Sequence, residues 1–190
     1  ISGIPEIIKC GLIDKSDLLN YIKIKKKIIQ RDFSFISKII KKALVSKIKF
    51  FKNDVKEKNN RLMLNFGHTF AHAIESSLDN NLSNKAEILR HGEAVGLGLL
   101  CEIYYKNGKN KIFHQIKNLL DLYSLPTNLK FIKMNKSLLK KEIFKYIFLD
   151  KKKIGKFPRY IGLKNIGRPK ILELSNNTKI KNTILNVLFS

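Results

Sequence analysis

Three of the chain's four histidines, His68, His72 and His91, fall inside residues 61–93, which read RLMLNFGHTFAHAIESSLDNNLSNKAEILRHGE. At about 100° per residue, a helix over the first half of this stretch gathers Arg61, Asn65, His68 and His72 within roughly 60° of one another. Glu75 lies close beside that stripe. Met63, Phe66, Phe70, Ala73 and Ile74 project from the other side, toward a core. A solvated helix face is ordinarily Lys and Glu, so a stripe of Arg, Asn and two His points to the lining of a cleft. Imidazoles at i and i+4 face the same way and can share a metal or an anionic ligand. Thr69 stands where the HExxH of zinc proteases carries its catalytic Glu, which removes that reading. From spacing alone, the easy ligand pair is His68 with His72. His91 opens HGEAVGLGLL, an apolar run of small residues suited to close helix packing. A lone histidine is more often a satisfied structural residue than a ligand, and His114, set between polar neighbours, reads that way. Clustering with Arg, Asn and Glu points the other three toward a site.

The elements that must position these groups are mainly helical. Residues 4–12 place Glu6 and Lys9 one helical turn apart, a pairing that is worth little if exposed, and Gly11 is a plausible stop. Asp14 or Ser16 can cap a helix running to about residue 30, and Ser34 another running to about residue 51. In the latter, Ile36, Ile39, Ile40, Ala43, Leu44 and Ile48 follow helical spacing, and Lys47 sits among other lysines. Residues 52–60 are polar and turn-like, and 79–84 (DNNLSN) form a loop. A buried helix is expected over 92–106, stopped by Asn107-Gly108. Further helices are expected over 110–123 and 138–148, with a short last one near 179–188. Residues 159–163 are the best strand candidate. The sum is a mainly α fold of about seven or eight helices with at most a short strand pair, in one domain over residues 1–190.

Composition narrows the function classes. At 190 residues and 44% hydrophobic content, the chain can bury a sizeable core. No stretch approaches the 18 apolar residues of a membrane span, and the N-terminus does not read as a secretory signal. Cys10 and Cys101 have no CxxC spacing, and free thiols in a reducing cytoplasm are the simpler reading. The formal charge of +23 invites a nucleic-acid hypothesis. Yet only five of the 38 basic residues are Arg, and the Lys are spread along the chain together with abundant Ile and Asn. That pattern is compositional drift more than a selected binding face, so no nucleic-acid partner is expected. An anionic small substrate would still benefit modestly from the positive field.

RLMLNFGHTFAHAIE followed by HGEAVGLG resembles the signature of the 3-dehydroquinate synthase family, within the sugar phosphate cyclases. The family pattern is approximately R-x-x-L-N-x-G-H-T-x-G-H-A-I-E and then H-G-E-A-V. GIPEIIKCGLI at 3–13 resembles the family's G-x-x-E-x-x-K-x-G-L-I. Lys47, Asp54, Glu57 and Arg61 reproduce its K-x6-D-x2-E-x3-R spacing, and Asp150-Lys151-Lys152 with Ile166-Gly167 resembles its late D-K-K and I-G elements. Two departures stand out. Ala71 replaces a usual Gly, and the spacing from His72 to His91 is a few residues longer, most simply through the loop at 79–84.

The resemblance implies the C-terminal, metal- and substrate-binding domain of such an enzyme, with an α/β nucleotide-binding domain expected before Ile1. It implies Glu6, His68 and His91 as ligands of Zn²⁺ (or Co²⁺), a two-His, one-carboxylate set with open positions that suits a catalytic ion. His72, instead of completing the metal set, would face substrate as a proton-transferring group. Lys9, Lys47, Arg61, Asn65, His72, Lys151 and Lys152 would contact substrate, with Lys47, Glu57, Asn65 and His72 taking part in catalysis. The implied reaction converts 3-deoxy-D-arabino-heptulosonate 7-phosphate to 3-dehydroquinate and phosphate, using NAD⁺ bound mainly by the N-terminal domain. A homodimeric cytoplasmic enzyme of the shikimate pathway is expected, with this domain inactive alone. Two alternatives remain: a related cyclase such as 2-deoxy-scyllo-inosose synthase, or a basic helical binding module without catalysis. Retention of Lys47, Arg61 and Asn65 favours dehydroquinate chemistry.

Overall fold

The computed structural model describes residues 1–52, 54, 60–79, 88–149 and 157–190. Glu57, Lys151, Lys152 and the segment 80–87 before His91 therefore lie outside the described residues. Nine α-helices are present among those described: α1 (Ile4–Asp14), α2 (Leu18–Ile22), α3 (Lys25–Ile29), α4 (Phe33–Phe51), α5 (His68–Asp79), α6 (His91–Asn107), α7 (Lys111–Leu122), α8 (Lys136–Leu149) and α9 (Asn177–Thr183). A 3₁₀ turn (Asn60–Asn65) precedes α5, and a π turn (Ile184–Leu188) follows α9. The expected strand, β1 (Arg159–Leu163), pairs antiparallel with β2 (Pro169–Glu173), Ile161 opposite Ile171. No helix of the described residues is long and apolar enough to cross a membrane.

The core is built around α6. Its residues from Ala94 to Ile103 are all buried, including Gly96, Gly98 and Glu102, so it lacks the solvent face of an ordinary surface helix. Helix α5 packs most extensively on α6 and α8, while α1 packs on α2, α4 and α6. Phe66, Phe70, Ala73 and Ile74 are buried as their spacing predicts. Asp32 caps α4 by accepting from Phe35 N–H, and Asn110 caps α7 by accepting from Phe113 N–H. At the start of α6, the Glu93 carboxylate accepts from Arg90 N–H and fastens the turn that carries His91.

Four expectations change. Gly11 is not a stop: it lies inside α1, where a side chain would press on Leu19, and the helix ends at Lys15 in the left-handed conformation (φ 52°). The helix expected to run to residue 30 is two short ones, and Asp17 before α2 spends its carboxylate on Lys42 instead of capping. That division accounts for the extra helix. On α4 the period is right but the buried face is turned: Ile39, Ala43 and Ser46 pack inward, while Ile40, Leu44 and Ile48 are 49%, 52% and 56% exposed. Finally, Arg61 and Asn65 are not on one helix with His68 and His72, because the chain breaks at Gly67 (φ 85°).

That break fixes the spacing of α5 and α6. A methyl on Gly98 would overlap the Gly67 carbonyl, and one on Gly67 would stand 3.0 Å from Leu99 N and Val95 O in a conformation that favours glycine. Gly98→Ala is therefore expected to lower stability by at least about 1–3 kcal/mol, the usual cost of overpacking, read as a lower urea midpoint. An unchanged midpoint would show that the two helices do not need this approach.

Candidate metal and substrate site

Four elements deliver the site. Helix α1 brings Glu6 and Lys9, α4 brings Lys47, α5 begins with His68, and α6 begins with His91. One ligand atom from each of Glu6, His68 and His91 lies within 4.8 Å of the other two, a spacing that can hold a metal ion. Each imidazole is aimed by a further partner. His68 Nδ1 lies 3.3 Å from the Phe66 carbonyl, which favours a proton on Nδ1 and leaves Nε2, 3.8 Å from Glu6 Oε1, unprotonated and able to ligate a metal. His91 Nδ1 lies 2.8 Å from Glu75 Oε1, the carboxylate–imidazole pairing that commonly orients a metal-binding histidine. The sequence placed Glu75 beside the stripe but gave it no such role.

The electrostatics suit the same use. Lys9 Nζ donates to Glu6 Oε1 at 2.8 Å and Lys47 Nζ to Oε2 at 2.9 Å. Lys9 is only 2% exposed, so its pairing with Glu6 is not the weak surface bridge that spacing alone suggests. Burial acts to raise the Glu6 pKa, but the two ammonium groups win and hold it at about 2. Burial lowers the Lys9 pKa, against the pull of Glu6; Lys47, despite some burial, is raised by its bond to Glu6. For His68, burial first and then the charge of Lys9 lower the pKa to about 4. At neutral pH the cluster thus offers an ionised carboxylate and a neutral imidazole, the forms that bind metal. Around Glu6 itself, two ammonium groups face one carboxylate, while Glu75 supplies a second carboxylate on the His91 side.

Asn65, His68, Thr69 and His72 line an adjoining cleft together with Arg159 to Ile161 of β1. The His72 ring is 5.4 Å from His68, edge to face, but His72 is not among the converging ligand atoms. The i,i+4 pair preferred on spacing alone is therefore not the cluster the fold assembles. The Arg61 guanidinium lies over the Phe51 ring at 4.7 Å, and Arg61 N–H donates to the buried Asp54 carboxylate. His114 is exposed on α7 and contacts Phe113. Sequence reasoning missed the β1 wall and Glu102, a buried carboxyl behind it. The signal for the latter was a single acidic residue inside the apolar run of α6.

The pKa shifts set a pH profile for the metal-free protein. Glu6 falls from an ordinary 4.5 to about 2 on folding, so the stability it contributes is present above pH 4.5 and lost as pH falls toward 2. His68 falls from 6.5 to about 4, so its contribution is full above pH 6.5 and lost as pH falls through 4. Glu102 has the opposite sign: burial raises it from 4.5 to about 8, so its contribution is present below pH 4.5 and lost as pH rises through 8. His68 and Glu102 offset one another between pH 4.5 and 6.5. With chelator present, urea midpoints should show a plateau there, falling on either side. In His68→Gln the plateau should become a decline with rising pH; a persisting plateau would remove His68 from the balance.

Residues 3–153 match the family model described as 3-dehydroquinate synthase C-terminal. The 3-dehydroquinate synthase of Dictyoglomus thermophilum is 36% identical over 176 residues, covering 90% of this chain and 46% of that protein. That of Thermodesulfovibrio yellowstonii is 34% identical with the same coverage. The chain thus spans about half the length of these relatives. Among solved structures, 2-epi-5-epi-valiolone synthase from Streptomyces hygroscopicus, with NAD⁺ and Zn²⁺ bound, superposes with a TM-score of 0.73 at 14% identity, over 97% of this chain and 50% of the other. A 2-deoxy-scyllo-inosose synthase complexed with carbaglucose-6-phosphate, NAD⁺ and Co²⁺ gives 0.68 at 21%, over 98% and 52%. At those identities the structures speak for the fold alone, while the family model and the closer relatives speak for descent. This chain belongs to the 3-dehydroquinate synthase family.

Proposed function

We propose that this chain is the metal- and substrate-binding part of an enzyme that converts 3-deoxy-D-arabino-heptulosonate 7-phosphate to 3-dehydroquinate and phosphate. The observation that carries this reading is the convergence of Glu6, His68 and His91 beside two lysines that pair with Glu6. Relatives at 34–36% identity are named 3-dehydroquinate synthase, which favours this substrate over that of the inosose and valiolone synthases. The donor set of one carboxylate and two imidazoles fits Zn²⁺ or Co²⁺. A bound divalent ion would supply Lewis acidity to a substrate hydroxyl or ketone. NAD⁺, held mainly by polypeptide corresponding to the other half of the relatives, would supply a transient oxidation that acidifies the neighbouring C–H. A homodimeric cytoplasmic enzyme fits the same assignment.

The chain's own residues then bind and orient. Lys9 and Lys47 place two positive charges beside the ligand set, where they attract an anionic substrate and keep Glu6 ionised. Arg61 offers the planar fork that grips a carboxylate at two points. Asn65 and His72 face the cleft beside His68, Asn65 as a neutral hydrogen-bonding group and His72 as a carrier of protons during phosphate loss. Glu57 and the Lys151–Lys152 pair take their proposed roles from the family pattern alone.

Metal content of dialysed variants of the full protein tests the ligand set. Glu6→Gln, His68→Ala and His91→Ala should each lose the ion, and His114→Ala should keep it. His72→Ala should also keep it while losing about 10²–10⁴-fold in kcat, the range for a positioned acid–base group. Loss of the ion in His72→Ala with retention in His91→Ala would replace this ligand set with the i,i+4 pair. For substrate recognition, Arg61→Lys should lower kcat/KM by about tenfold or more, the scale of one lost hydrogen bond to a charged group. Unchanged kcat/KM would take Arg61 out of the site.

A further inference from the structure

Glu102 sits in the middle of α6, fully buried, among Leu99, Leu100, Cys101 and Ile103. An acidic side chain there is costly, and an apolar residue of similar size would ordinarily be easier to bury. Its two oxygens account for its presence. Oε1 accepts from Thr69 N–H in the first turn of α5, and Oε2 accepts from Ile161 N–H in the middle of β1, both at 3.2 Å. Thr69 adds a second stitch, its hydroxyl donating to the Arg159 carbonyl at 2.9 Å. One side chain of α6 thereby joins the start of α5 to β1.

The two elements it joins both line the cleft. Thr69 follows His68 directly, so the Thr69 N–H and the metal-binding imidazole are set by the same turn of backbone. Arg159 to Ile161 line the same cleft. None of these bonds reaches the ligand cluster itself. We propose that Glu102 is a positioning residue, whose carboxyl, with the Thr69 hydroxyl, fixes the first turn of α5 against β1 and so fixes where His68 presents its ring to Glu6 and His91. This rests on the metal-site reading above. It differs from a general core contribution because the joint should govern metal affinity beyond its effect on stability.

The test compares Zn²⁺ affinity, by competition with a chelator, in the full protein and its variants at a temperature where far-UV circular dichroism is native. Glu102→Gln keeps the size but offers an N–H₂ group where a backbone N–H needs an acceptor. It should weaken Zn²⁺ binding roughly tenfold, the lower end of what outer-shell changes cost a metal site, and should speed amide exchange at Thr69 and Ile161. Thr69→Val should weaken binding in the same direction, while Thr69→Ser, which keeps the hydroxyl, should restore it. Leu129→Ala, a buried change away from the joint, should lower stability and leave Zn²⁺ affinity unchanged. Folded Glu102→Gln with unaltered affinity would overturn the proposal and leave Glu102 a core residue. Should Glu102→Gln fail to fold, the Thr69 pair decides: equal affinity in Thr69→Val and Thr69→Ser overturns it. No Zn²⁺ binding by the unaltered protein would instead overturn the metal reading, and this inference with it.

Discussion

The contact on which the site depends is an approach between two backbones, where the carbonyl of Gly67 meets Gly98 of α6 with no room for a side chain. It lets α5 and α6 pack closely along buried faces, with Phe70, Ala71 and Ile74 on one side and Val95, Leu99 and Leu100 on the other. It also explains why two histidines 23 residues apart in sequence, His68 and His91, stand with ring centroids 5.6 Å apart. Each begins its helix, and at His68 the unpaired backbone N–H groups of the first turn disfavour a protonated imidazole. Burial and Lys9 push His68 the same way.

Glu6 converts that pair of imidazoles into a charged site. Its carboxylate is shared between Lys9 on its own helix and Lys47 on α4, so the ion pair that ties α1 to α4 also helps hold that carboxylate ionised. Coulomb attraction opposes the cost of desolvation, and the two ends differ: attraction prevails at Glu6, whose pKa is depressed, and burial at Lys9, whose pKa is lowered. Structure and chemistry therefore draw on the same interaction. A change at Lys47 acts on helix packing, on the Glu6 charge and on the local positive field together.

How much of this was legible depends on where each signal lies. Helices α6 and α7, strand β1 and the buried face of α5 follow from periodicity and end signals, because those are local. The convergence of Glu6, His68 and His91 was legible only through the family pattern: Glu6 arrives 62 positions before His68, and no spacing rule connects them. Local reasoning preferred His68 with His72, the geometry a helix supplies unaided. The continuous stripe from Arg61 to His72 failed at Gly67, a residue that stands in a positive-φ break here but would also be tolerated in a helix. On α4 the period gave the helix but not which side packs, since Ile39 and Ile40 are equally apolar and only tertiary contact separates them. Glu102 was visible as an acid in an apolar run, but its bonds to Thr69 and Ile161 join elements distant in sequence.

The same distinction governs the chain's charge. A total of +23 measures the whole surface, where dispersed lysines are screened and most ion pairs contribute little. What matters to the site is one buried ammonium, Lys9, and one half-exposed, Lys47, placed on either side of a single carboxylate. Desolvation makes their fields count where those of exposed lysines do not. A local concentration of positive charge around one carboxylate can therefore reside in a chain whose overall composition resembles that of a nucleic-acid binder, and burial of the charges, more than their number, sets it apart.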